Sequence, residues 1–126
     1  MNLVDSCGWI EYFADTPRAD FYAEAIENTE ELIVPVICIM EVFKKIQMER
    51  DEDSALLAVG HMRQGKIIPV TESIALTAAS FGREYNLPLA DSIIYAIGIT
   101  SGATIYTQDE NFEGLDGVAF CSVDTV

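Results

Sequence analysis

Asp5, Glu41, Asp91 and Asp109 are the acids whose settings suggest chemistry rather than solvation. Glu41 lies in Ile37-Cys38-Ile39-Met40-Glu41-Val42-Phe43, the least polar surroundings of any acid in the chain. A salt bridge to Lys45, four residues on, would return only about 0.2–0.5 kcal/mol. Desolvation in an apolar stretch works against the charged carboxylate. Asp91 is embedded among Leu87, Leu89, Ala90, Ile93 and Ile94. Its simplest alternative role is a favourable helix-dipole contact of about 0.3–1 kcal/mol. Asp5 directly follows an apolar start, and capping of the next helix competes evenly with a functional role. Asp109, in Thr107-Gln108-Asp109, is by itself an ordinary turn residue. Glu24, Glu27, Glu30, Glu31, Glu49, Asp51, Glu52 and Asp53 fall on exposed helix faces or in loops and are expected only to solvate the surface.

Four carboxylates meeting in one pocket repel one another, and some hold protons unless a cation is present. Hard oxygen ligands suit Mg²⁺ or Mn²⁺ rather than zinc. There is no CxxC pair, and the single His61 has no partner motif. With no Cys–His or Ser–His pairing in view, a divalent ion would carry the chemistry. It can lower the pKa of a bound water and hold a phosphate oxygen while charge builds.

Positioning these acids requires strands that end where they stand. Met1 to Val4 is a strand candidate, and Ser6 can cap a helix from about Cys7 to Ala14. Thr16-Pro17 signals a second helix start, which carries Phe21, Tyr22, Ala25 and Ile26 toward the core. Leu32 to Val34 is a strand ended by Pro35. Helices are expected from about Val36 to Arg50 and from Glu52 to Gln64, then a strand from Ile67 to Val70. Ser73 to Tyr85 is helical, with Ile74, Leu76, Thr77, Ala78 and Phe81 as its apolar surface, and Asn86 and Pro88 stop it. Leu89 to Thr100 is apolar on nearly all sides, so it should pack with little exposure until Ser101-Gly102 ends it. Ala103 to Tyr106 and Val118 to Val123 complete the strands. Short apolar strands alternating with helices indicate a parallel sheet covered on both faces. Ligands of such sheets gather beyond the carboxyl ends of the strands, where strand order reverses. Asp5 and Asp109 would face each other there if the reversal falls between their strands.

The chain has 126 residues, one domain's worth, with half of them hydrophobic. The longest apolar stretches are too short to span a membrane. The start shows no basic region followed by a cleavage site, so a cytoplasmic protein is expected. Cys7, Cys38 and Cys121 sit among apolar neighbours at unrelated spacings and read as reduced core residues. The formal net charge is −14, from 21 acidic and 7 basic residues. That balance disfavours nonspecific binding to nucleic acid and favours a basic protein partner or divalent ions.

Leu3-Val4-Asp5-Ser6 with Trp9-Ile10, helical Met40-Glu41-Val42, Leu87-Pro88-Leu89-Ala90-Asp91 with Ala96, and Thr107-Gln108-Asp109 with Asn111-Phe112 together resemble the PIN-domain ribonucleases. The resemblance covers nearly the whole chain. It implies a three-layer α/β/α fold with a mostly parallel central sheet of about five strands. It also implies an acidic quartet of Asp5, Glu41, Asp91 and Asp109 binding Mg²⁺ or Mn²⁺ to cut RNA, with Thr107 as a supporting polar residue. Lys44, Lys45 and Arg50, on the Glu41 helix, are the obvious phosphate contacts, although a solvated helix face explains them as well. The size is similar to the single-domain toxins of VapBC-type toxin–antitoxin pairs. That likeness implies a homodimer and a small antitoxin that reaches the acidic pocket.

Three other readings compete. One is a PIN-like fold serving only to bind protein, and another is a PIN nuclease of RNA processing without an antitoxin. A phosphoryl-transfer domain of receiver type would need a Lys after a late strand, yet no Lys or Arg follows Arg83.

Overall fold

The computed structural model describes residues 1–122. The strands are β1 (Asn2–Val4), β2 (Leu32–Pro35), β3 (Lys66–Ile68), β4 (Thr104–Thr107) and β5 (Val118–Phe120). The helices are α1 (Ser6–Ala14), α2 (Ala19–Glu27), α3 (Val36–Glu49), α4 (Glu52–Met62), α5 (Glu72–Tyr85) and α6 (Leu89–Thr100). Short 3-10 turns occupy Thr29–Glu31 and Glu110–Phe112. The strands form one sheet in the order β3-β2-β1-β4-β5, and every pairing is parallel. The expected α/β fold with a five-stranded parallel sheet is therefore what the chain adopts.

The order reverses at β1. The chain passes from β1 to β2 and β3 on one side, then crosses to β4 and β5 on the other. β1 and β4 pair as Leu3↔Ile105 and Val4↔Tyr106, so both strands end at one level. The crevice beyond the switch point opens there.

The core is apolar and continuous through this sheet. Leu3, Val4, Ile33, Val34 and Ile105 are fully buried, as are Trp9, Tyr22, Met62, Ile94 and Ile97 from the helices. Two glycines set how closely helices approach it. A Cβ on Gly98 of α6 would stand 2.4 Å from Ile105 Cδ1, and one on Gly8 of α1 would stand 2.5 Å from Tyr22 Cδ1. Ile105 and Tyr22 are themselves fully buried and have nowhere to move. Overpacking costs about 1–3 kcal/mol, and contacts this short fall toward the upper end, which outweighs the roughly 1 kcal/mol that Ala gains over Gly in a helix. Gly98→Ala is expected to lower the urea midpoint. A variant as stable as the parent would show that α6 can lift off the sheet freely.

Several boundaries differ from expectation, and each shift has a local cause. Helix α1 begins at Ser6 rather than Cys7, because Asp5 and not Ser6 is its cap. Helix α2 begins at Ala19, since Thr16, Pro17 and Arg18 are spent in a turn in which Thr16 Oγ1 accepts from the Arg18 N–H at 3.3 Å. Pro35 remains inside β2, opposite Ile68. β4 runs one residue further than expected, which brings Thr107 into the sheet. β5 is seen from Val118 to Phe120, and the expected end at Val123 lies outside the described residues. Asn86 ends α5 in a left-handed conformation, φ 55°, and Gly102 follows α6 at φ 65°, as the stop signals indicated. Leu76 and Leu89 do not join the core. They are 65% and 80% exposed, on the outer face of α5 and at the first residue of α6. Within α6, Ser92 and Ile94 to Gly98 are buried, whereas Ala90, Asp91, Ile93 and Ile99 are half-buried and Thr100 is exposed.

Candidate active site

Asp5 leaves β1 and opens α1, and one carboxylate does two things there. Its Oδ1 accepts the Ser6 N–H at 2.7 Å, and its Oδ2 accepts the Thr107 hydroxyl at 2.7 Å. Capping is thus true of this residue, and its second oxygen is tied to the end of β4. Asp5 is only 4% exposed. Burial raises its pKa above the ordinary carboxylate value, the Thr107 and Ser6 hydrogen bonds oppose that rise, and the charge of Asp109 adds to it.

Thr107 is the last residue of β4 and is fully buried. Its Oγ1 donates to Asp5 and accepts the Asp109 N–H at 3.0 Å. The hydroxyl therefore ties the end of β1 to the loop after β4. Asp109 starts the 3-10 turn, and its Oδ1 accepts the Asn111 N–H at 3.0 Å. Asp91 stands in the first turn of α6, partly buried, with its Oδ2 accepting the Asn111 amide at 3.0 Å. Its pKa is pushed up to about 7, chiefly by burial. Asn111 pulls it down, and contact with Asp109 and the charge of Asp5 raise it further. Asp5, Asp91 and Asp109 therefore feel one another across the switch point.

Glu41 reaches the same region from α3 by way of Ser6. Ser6 Oγ donates to Glu41 Oε1 at 2.6 Å. The salt bridge to Lys45 that would have explained Glu41 is absent, because Lys45 pairs with Glu49 at 2.8 Å. Glu41, Lys44 and Lys45 line a cleft of about 640 Å³ together with Ser6, Cys7 and Gln108. Asp5, Asp91 and Asp109 are not part of that lining and adjoin it through Ser6 and Cys7. Arg50 belongs to a neighbouring groove of about 370 Å³ with Leu57 and His61, apart from the two lysines. Glu110, Glu113 and Asp116, the acids that follow Asp109 in sequence and could take its place, are exposed.

Four further side chains, Ser6, Cys7, Gln108 and Asn111, touch these acids or line the cleft beside them. Ser6 had been read only as a cap. Cys7 had been read as core, but its Sγ lies 3.5 Å from Asp5 Oδ2 and 3.6 Å from Thr107 Oγ1. Burial pushes that thiol up to about 12, which keeps it protonated beside the acid. Gln108 joins Tyr22, whose hydroxyl donates to it at 2.9 Å, to Glu11, which in turn pairs with Arg18 at 3.3 Å. Asn111 bonds two of the four acids. The position of Ser6 beside Asp5 at a helix start was a usable signal. The other three are linked by tertiary contacts that no spacing announces.

The sequence matches the PIN domain family over residues 3–118. This chain belongs to the PIN domain family. Its structure is similar to a toxin–antitoxin complex from Klebsiella pneumoniae, with 25% identity and a TM-score of 0.80 over 94% of this chain and 96% of that one. It is also similar to VapC20 of Mycobacterium tuberculosis, a sarcin–ricin loop cleaving toxin, at 14% identity and a TM-score of 0.77, covering 92% and 95% of the two chains. DNA-bound VapBC from Salmonella typhimurium aligns at 17% identity with a TM-score of 0.72, covering 96% and 98%. No curated protein matches the sequence significantly. The expected likeness to PIN domains is borne out, and in fold the chain resembles the VapC-type structures, whose two weaker identities speak to fold alone.

The donor set of this PIN domain fits a hard divalent ion in its chemistry. Every candidate ligand is a carboxylate oxygen, and Asp5 and Asp91 hold their protons more tightly than surface acids do, chiefly because burial disfavours their charge and further because neighbouring acids repel it. Among the described residues no three Asp, Glu, His or Cys side chains form a ready-made cage. Mg²⁺ is commonly held by one or two carboxylates, with waters and substrate phosphates completing its shell. No helix among the described residues is long and apolar enough to cross a membrane.

Proposed function

We propose that this PIN domain is an Mg²⁺- or Mn²⁺-dependent endoribonuclease that hydrolyses RNA phosphodiester bonds. The observation that carries the reading is the meeting of Asp5, Asp91 and Asp109 at the sheet's switch point, tied together by Thr107 and Asn111, beside a cleft that also holds Glu41 and Lys44. Asp5, Asp91 and Asp109, with Glu41, would hold the ion. When bound, it supplies an activated water and neutralises charge on the scissile phosphate. Thr107 holds Asp5 in place through its hydroxyl, and Ser6 does the same for Glu41. Lys44 is exposed and, among the described residues, has no ion-pair partner, so it is available to a phosphate.

The toxin–antitoxin structures it resembles support a role as the toxin of such a pair, silenced by an antitoxin; with that role we propose a homodimer working in the cytoplasm. A basic antitoxin segment suits the −14 charge of this chain. The purified protein is expected to cut RNA with Mg²⁺ or Mn²⁺ and to stop on chelation. Cleavage that continues undiminished in excess EDTA would remove the metal from the mechanism. A protein-binding module is the second reading, favoured by the three acids Glu11, Glu41 and Glu49 that outnumber the two lysines of the cleft. No cleavage of any RNA together with tight binding to a small basic protein would select it.

A further inference from the structure

Asp91 and Asp109 come from different elements, the start of α6 and the loop after β4. One residue bonds both. The Asn111 side-chain amide donates to Asp91 Oδ2 at 3.0 Å, and its backbone N–H donates to Asp109 Oδ1 at 3.0 Å. Asn111 is itself exposed, so packing does not hold it there. Its chemistry suits the task. A neutral amide supplies a donor to a carboxylate without adding a charge. A lysine or arginine there would bring a cation to compete for the acids, and an aspartate would add repulsion. Each carboxylate has two oxygens, and Asn111 engages one on each. The Asp91 and Asp109 side chains also contact one another, so the orientation Asn111 gives to one bears on both.

We infer that Asn111 is a positioning residue of the metal site, setting the orientation of Asp91 through its amide while its backbone fixes Asp109. The inference rests on the reading of these acids as metal ligands. Outer-shell donors that orient metal-binding carboxylates are worth about 10–100-fold in affinity or activity.

Asn111→Ala removes the amide and keeps the backbone N–H, so the turn and the Asp109 bond survive. The test is the Kd for Mn²⁺ of the whole protein, measured by electron paramagnetic resonance of the free ion, beside the Tm of the metal-free protein. The variant is expected to bind Mn²⁺ about tenfold more weakly, with an unchanged metal-free Tm. The Mn²⁺ concentration for half-maximal RNA cleavage should rise by a similar factor, while the rate at saturating ion stays within about twofold. An unchanged Kd would overturn the positioning role and leave the nuclease reading standing. A weaker Kd accompanied by a fall in metal-free Tm would also overturn it, because Asn111 would then be holding the fold. A parent protein that binds no Mn²⁺ would overturn the metal-site reading and this inference together.

Discussion

Asp5→Asn is expected to abolish RNA cleavage, by at least about 100-fold, while leaving the protein folded and more stable without metal. Two physical effects separate here. The substitution removes a charged oxygen that would bind the ion, and transition-state stabilisation of that kind is worth roughly 10²–10³ in rate at a single donor. The hydrogen bonds, however, can be kept. The Asn side-chain oxygen can still accept the Ser6 N–H, and its amide can donate to Thr107 Oγ1 once that hydroxyl turns round. What disappears is a buried negative charge facing Asp109. Relief of that charge is the reason to expect a higher Tm in metal-free buffer near pH 8. Initial cleavage rates and thermal melts of parent and variant check both halves. A variant that cuts RNA at the parental rate would sink the assignment of Asp5, and one that melts earlier would show that its charge stabilises the fold.

Metal-free stability should fall as pH rises from about 4 to about 7. The sign follows from Asp91. Its pKa is 3.8 when free and about 7 in the folded protein. Between those values the folded state holds a proton that the unfolded state has released, so raising the pH favours unfolding. The stability present below pH 4 is lost through the window and stays lost above about 7. At full weight the displacement of Asp91 is worth ~4 kcal/mol. Its partial exposure screens the charge and reduces that to ~2 kcal/mol, while Asp5 adds a loss of the same sign. Other carboxylates titrate as well, and Asp51, held low by its bonds to Ser54, works in the opposite direction. The diagnostic quantity is therefore the difference between the parent and Asp91→Asn. That difference should grow in the variant's favour from pH 4 to 7 and then level off. Mn²⁺ should restore stability to the parent above pH 7, and below pH 7 its binding should release the proton that Asp91 still holds. A parent and variant whose melts run parallel across the range would show that Asp91 carries no displaced proton.

The fold was legible in the sequence because its signals are local. Strand, stop and helix alternate with apolar runs of the right lengths, and Asn86 and Gly102 ended their helices where left-handed residues were needed. The errors at Ser6, Ala19 and Thr107 are shifts of one or two residues, at positions where a side chain chose between capping a helix and joining a turn. Leu76 and Leu89 were misassigned to the core because period reports a face without saying what lies against it.

For the four acids the division is sharper. The sequence by itself determined that Glu41 and Asp91 are unusual, since an acid in an apolar run carries a desolvation cost wherever the run is buried. It determined that Asp5 and Asp109 stand near strand ends. Only the tertiary structure decided that those strands are neighbours at the point where the sheet reverses, so that Asp5, Asp91 and Asp109 act on one another. It also decided how they are held. Ser6 reaches Glu41 across 35 positions, Thr107 reaches Asp5 across 102, and Asn111 reaches Asp91 across 20. Hydrogen bonds between residues so far apart depend on strand order and helix approach, and those arise from the packing of the whole chain.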